Sequence, residues 1–169
     1  LYPHHNTAPS FGARPFVAPD ATLVGDIEFG DDCSVWFGVI MRGDVNLMRI
    51  GDRTNVQDGT ICHVTLNKWE LHLGNDVTVG HGVILHGCTI QDRALIGMGA
   101  KVLDGGVVGE EALIAAGAVV REGMEIPPRV LVAGVPGKIK RELTPEEVAS
   151  NNDIAQRYVK YKDEYLAMN

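Results

Sequence analysis

Three histidines carry the first chemical signal of this 169-residue chain: His63 in "NVQDGTICH", and His81 and His86 in "VGHGVILHGCTI". Imidazole is a strong ligand for transition metals, and three imidazoles leave one position of a tetrahedral zinc open for water. The spacing, however, is wrong for a ligand pair on one regular element. On a helix, residues four apart align, and on a flat strand an even separation is needed. His81 and His86 are five apart. Any metal chemistry here needs a frame that is neither.

The frame is a repeat. From Ile90 onward an aliphatic residue recurs every six positions: Ile90, Ile96, Val102, Val108, Ile114, Val120, Ile126 and Val132. The first half keeps the period in Val17, Leu23, Phe29, Val35 and Met41, and resumes it at Ile50, Val56, Cys62, then Leu73, Val79, Leu85. Small residues follow four places later, as in Ala94, Ala100 and Ala112, and glycine often follows directly, as in Gly51 and Gly74. A six-residue period fits neither a helix nor a hairpin sandwich. It predicts a mainly β fold, a parallel β-helix in which three hexapeptides make one triangular coil. Coils then stack about 4.8 Å apart, as hydrogen-bonded strands do.

The register serves as a ruler. The steps from Met41 to Ile50 and from Cys62 to Leu73 exceed six residues, and both surpluses are expected as loops bulging from the prism. Met41, Cys62 and Leu85 then share one face on successive coils, and the residues after them, Arg42, His63 and His86, form an outward column. His81 falls on the preceding face, with Asp58 beneath it and Gln57 alongside. One prism offers two imidazoles on one face and the third on another. A threefold trimer brings them together, because unlike faces of neighbouring subunits meet. His4, His5 and His72 are expected to be solvated, the first two in a mobile N-terminal segment.

Residues 1–16 form an N-terminal segment, 17–137 the β-helix, and 138–169 a linker and a C-terminal α-helix. Thr144 suits the N-cap, Pro145 the first turn, and Glu147 completes a capping box. Val148, Ala155, Tyr158 and Leu166 give that helix an apolar stripe. Cys33, Cys62 and Cys88 lack CxxC spacing and are expected as small buried hydrophobes in a reducing compartment, the cytoplasm. A net charge of −7 argues against nucleic acid or an anionic membrane as partner. No apolar run nears the roughly 18 residues of a membrane span, and no signal peptide is recognisable at the start.

The motifs "MRGDVN", "NVQDGTICH", "VGHGVILHGCTI" and "LIGMGA" together resemble the γ-class carbonic anhydrases and their γ-carbonic-anhydrase-like relatives. The resemblance covers nearly the whole chain and implies a left-handed β-helix of hexapeptide repeats. It implies that His63, His81 and His86 bind Zn2+ between the subunits of a homotrimer, with Fe2+ or Co2+ as alternatives. Arg42 and Asp58 would pair across the interface. Asp44 and Gln57 would hydrogen-bond the bound water or substrate, with Asn55 in support and Tyr158 reaching in from the helix. The reaction implied is reversible hydration of CO2 to bicarbonate. Two departures stand out. Val45 occupies a position where active relatives often carry glutamate, and the loop "VTLNKWELH" is short, with Glu70 its only carboxylate. The proton would then leave by buffer, His72 or Tyr158. Two other readings stay open: a hexapeptide acyltransferase with a histidine as general base, and a non-catalytic trimer stapled by metal.

Overall fold

The structure is a computed structural model and describes residues 1–168; Asn169, the last residue of the expected tail, lies outside the described residues. The chain forms a left-handed parallel β-helix closed by one helix, Pro145–Ala167. Short strands build three faces. Face I stacks Leu23, Met41, Cys62, Leu85, Val102 and Val120. Face II stacks Phe29, Ile50, Leu73, Ile90, Val108 and Ile126. Face III stacks Val17, Val35, Val56, Val79, Ile96, Ile114 and Val132, one for each of seven coils. Nearly all these side chains are fully buried and form one continuous core. The six-residue period exists because each face spends two residues on a strand and the rest on a corner.

Corners dictate the glycines. A Cβ on Gly51 would stand 2.5 Å from the backbone carbon of Gly74, its counterpart one coil on. Only glycine lets successive coils stack at strand spacing there.

Three local expectations are revised. Asp44–Leu47 does not bulge out as a loop: Ile40–Ile50 is one strand that turns the corner between faces I and II, with a register shift against Thr22–Phe29. The N-terminal segment is not free of the solenoid, since Ser10–Phe11 pairs with Glu28–Phe29 and Tyr2 bridges Val24. Part of the expected linker, Lys138–Glu142, is an antiparallel strand on Val130–Ala133.

The helix opens as expected. The Thr144 hydroxyl accepts from Glu147 N, and the Glu147 carboxylate accepts from Thr144 N at 2.9 Å. It packs beside Phe16–Val17 and Ser34–Val35. Ala155 is buried, but Leu166 is exposed, and Tyr165 takes the expected apolar role by packing on Trp36 and Phe37. No helix among the described residues is long and apolar enough to cross a membrane.

Candidate metal centre

The parallel register of face I sets Arg42 beside His63 and His63 beside His86 on adjacent coils. All three follow an inward aliphatic or thiol side chain, so they point away from the core. His63 Nδ1 and His86 Nε2 are 3.0 Å apart. Two nitrogens bound at 2.0–2.1 Å to one tetrahedral zinc stand about 3.3 Å apart, so the pair fits a shared ion.

Each imidazole has a carboxylate behind it. His86 Nδ1 lies 2.6 Å from Asp104 Oδ1, and Asp104 Oδ2 accepts from the Thr65 hydroxyl at 3.0 Å. A carboxylate at Nδ1 fixes the tautomer and leaves the Nε2 lone pair to face His63. His63 Nε2 lies 3.3 Å from Asp44 Oδ1, and Arg42 donates to Asp44 Oδ2 at 2.6 Å. Burial pushes His63 below the ordinary imidazole range, and the Arg42 charge pushes it further. Burial alone would raise Asp44, but the Arg42 hydrogen bond and charge hold it below the usual carboxylate range. The ring is thus kept neutral, as a ligand must be, beside an ionised acceptor.

His81 sits on face III, two residues after Val79, with Nδ1 2.9 Å from Asp58 Oδ2 on the coil below. Both side chains are nearly half exposed. Asp58 also lines a cavity of about 280 Å³ with Trp36, Tyr158, Tyr161 and Glu164. Tyr158 packs edge-on against Trp36, and burial, then the charge of Asp58, raises its phenol. Gln57 and Asn55 form a buried chain: Gln57 Nε2 donates to Asn55 Oδ1 at 3.0 Å, and Asn55 Nδ2 donates to Thr78 Oγ1 at 3.0 Å.

One chain therefore gathers Arg42, Asp44, His63 and His86 at one place, and His81, Asp58 and Tyr158 at another. Among the described residues, no group of three or more His, Cys, Asp or Glu within the chain could hold a metal. Arg42 and Asp58 do not pair within the chain; each takes a nearer partner, Asp44 and His81. His72 lies on face II with Glu70, 2.8 Å away, and so stands on a different face from His63 and His86. Cys33, Cys62 and Cys88 are buried free thiols; burial drives the first two up to about 12 and the third higher still. Asp104 was not among the residues expected from sequence. It comes 18 residues after His86, one 17-residue coil and one place further, so counting along the histidine column does not reach it.

No protein-family model matches the chain. Among curated proteins it is 46% identical to Protein YrdA of Escherichia coli over 98% of the chain and 94% of that protein. It is 50% identical to a protein of Methanocaldococcus jannaschii named "Probable carbonic anhydrase", over 87% of the chain and 92% of that protein. It is 40% identical to Gamma carbonic anhydrase 1, mitochondrial, of Arabidopsis thaliana, over 96% of the chain and 61% of that protein. Among solved structures, a Bacillus cereus protein provisionally named an acetyltransferase superposes with a TM-score of 0.97 at 43% identity, over 99% and 97% of the two chains.

Proposed function

The chain belongs to the family of γ-class carbonic anhydrases and their hexapeptide-repeat relatives, and from that premise we propose that it catalyses reversible hydration of CO2 to bicarbonate at zinc sites shared between subunits of a homotrimer. The observation that carries this reading is the His63–His86 pair, 3.0 Å apart, with the third histidine on another face. His63 and His86 of one subunit and His81 of a neighbour would hold the ion, and Fe2+ or Co2+ would suit the same donors. A zinc ion held by three neutral imidazoles supplies a Lewis acid and, from water, a strong oxygen nucleophile at neutral pH.

The chain's own groups do the positioning. Asp104 holds the His86 ring, and Arg42 keeps Asp44 an ionised acceptor that can orient a water proton. Gln57, tied to Asn55 by one N–H, keeps its carbonyl oxygen and second N–H for an oxygen-bearing ligand. Tyr158, near Asp58, would enter from the helix side. A trimer is supported by the exposed apolar side chains on the metal face: Ile40 and Ile61 are 43% and 44% exposed, on the strands that bear Arg42 and His63. Covering them with face III of a second copy removes apolar surface from water. It would also deliver His81 and let Arg42 meet Asp58. The three buried free thiols suit a reducing compartment such as the cytoplasm.

An acyltransferase reading draws on the name of the Bacillus cereus structure. A groove of about 700 Å³ runs along face II and is walled by Glu28, Asp92 and Glu110. Its cation, Arg49, is already engaged by Asp26 and Glu28. That groove therefore offers the phosphates of an acyl-CoA no unpaired guanidinium. Metal analysis and stopped-flow CO2 hydration on one sample test the choice. About one metal per subunit and hydration that vanishes in His81→Ala are expected. A metal-replete trimer without hydration would leave only the assembly role, and acyl-CoA binding without metal would favour the transferase.

A further inference from the structure

Hydration of CO2 leaves a proton behind: CO2 and H2O give HCO3− and H+, and turnover continues only when that proton reaches solvent. The N-terminal segment lies where it can carry it. Tyr2 N donates to Leu23 O at 2.8 Å, and Gly25 N donates to Tyr2 O at 3.0 Å. The segment thereby extends face I by one row, in the order Tyr2, Val24, Arg42, His63, His86. Two residues beyond Tyr2 the chain reverses. His4 N donates to Thr7 O at 2.8 Å and Thr7 N to His4 O at 3.0 Å, with His5 and Asn6 both in the left-handed region at φ 45° and 66°. This is the geometry of a tight two-residue hairpin turn. It sets the two imidazoles 4.1 Å apart, at the wall of a cavity of about 220 Å³ that Asp26, Asp44 and Asn46 complete. Asp44 is the group that touches His63.

We propose that His4 and His5 are the proton relay of this site, a role that rests on the carbonic anhydrase reading. The proton lost by water crosses the cavity beside Asp44 to an imidazole nitrogen, and passes from there to a buffer base in solvent. Imidazole is the side chain suited to accept and release a proton near neutral pH. The charged groups facing the hairpin come from the two adjoining strands. Asp26 is paired with Arg49 at 2.7 Å and Asp44 with Arg42 at 2.6 Å, so both carboxylates are already engaged by guanidinium groups. The short loop after His63 adds no competitor, since its carboxylate, Glu70, is turned to His72.

Oxygen-18 exchange at chemical equilibrium separates CO2–bicarbonate interconversion from the release of labelled water, which alone consumes a relayed proton. In weak buffer, a His4→Ala/His5→Ala double variant should keep interconversion and release labelled water roughly tenfold more slowly. Added imidazole should restore the rate. Water release at the normal rate overturns the relay, and so does a matching fall in interconversion, which would make the hairpin a positioning element. Absence of interconversion in the unaltered protein removes the carbonic anhydrase reading and the relay with it. A readout independent of turnover is the nitrogen NMR signals of the two rings, which should move on Asp44→Asn; unmoved signals overturn the shared cavity.

Discussion

Along one corner of the solenoid the residues held in left-handed turns are Arg14, Asp32, Arg53, Asp76, Arg93, Glu111 and Arg129. Along face I the outward run is Arg42, His63 and His86. Both columns face the same problem, because in-register parallel coils stack a side chain on its counterpart every 4.8 Å or so. The corner solves it by alternating sign. Arg53 donates to both oxygens of Asp76, and Arg93 and Arg129 both donate to Glu111. The C-terminal helix then adds one partner per carboxylate: Lys162 forms an ion pair with Asp32, while Gln156 and Asn152 donate to Asp76 and Glu111. Face I stacks two imidazoles with facing nitrogens and gives that facing pair no carboxylate of its own. One column is closed on itself and holds the helix down; the other keeps donor capacity for something outside the chain.

The sharpest way to break the closed column is Asp32→Ala. Lys162 is fully buried, 2.9 Å from Asp32 and 2.5 Å from Asp163. Removing one partner of a buried pair costs about 3–5 kcal/mol. With Asp163 still in place, the low end is expected, about 3 kcal/mol by urea unfolding. Trp36, which packs on Tyr158 and Tyr165 of the helix, supplies the fluorescence signal. Metal affinity should be unchanged. A loss below about 1 kcal/mol would reduce the corner to an ordinary solvated ion-pair surface.

The two columns also differed in how readable they were. The metal face could be counted from the aliphatic register because its residues directly follow Met41, Cys62 and Leu85, where the ruler has least slack. Each corner residue instead stands three places after a face II aliphatic, as Asp32 does after Phe29 and Glu111 after Val108. Its sign reverses every coil, so no residue type recurs on consecutive coils and the period is hidden among surface charges. Asp104 escaped because its contact is diagonal: it meets His86 from one coil on and one place further along. The N-terminal row escaped because Tyr2 does not keep the six-residue step: Phe11 stands six before Val17, but Tyr2 is nine before Phe11 and is held by backbone hydrogen bonds rather than by a buried aliphatic. Pairing with another subunit lies outside what one chain's period can express, except through the misfit of His81 and His86.

Asp104→Asn tests the open column at smaller scale. Loss of the carboxylate behind a ligating histidine commonly costs about 10–100-fold in metal affinity. That range is expected here from competition titration with zinc, with little change in the urea midpoint because Asp104 lies partly exposed at the surface. Thr65→Ala, which only removes the hydroxyl on Asp104 Oδ2, should weaken binding less. Equal affinity in the Asn variant would make His86–Asp104 a surface contact without bearing on the metal.

The mildest perturbation is acid, and it should loosen the closed column gradually. Glu111 is held below its ordinary 4.5, first by the hydrogen bond from Arg129 and then, against burial, by those from Arg93 and Asn152. Burial would raise Asp32, but Lys162 and Arg14 hold it below 3.8. Because both folded values are depressed, the unfolded chain takes up these protons first as pH falls. Their stabilising contribution is therefore complete above about pH 4.5 and is lost as pH drops through the folded values. Far-ultraviolet circular dichroism across that window should show helix signal leaving ahead of strand signal, since Asp32, Asp76 and Glu111 tie the helix to the coils while the core holds no group that titrates in acid. Simultaneous loss of both signals would mean that the helix and solenoid unfold as one unit, and that the corner's charges do not set the helix apart.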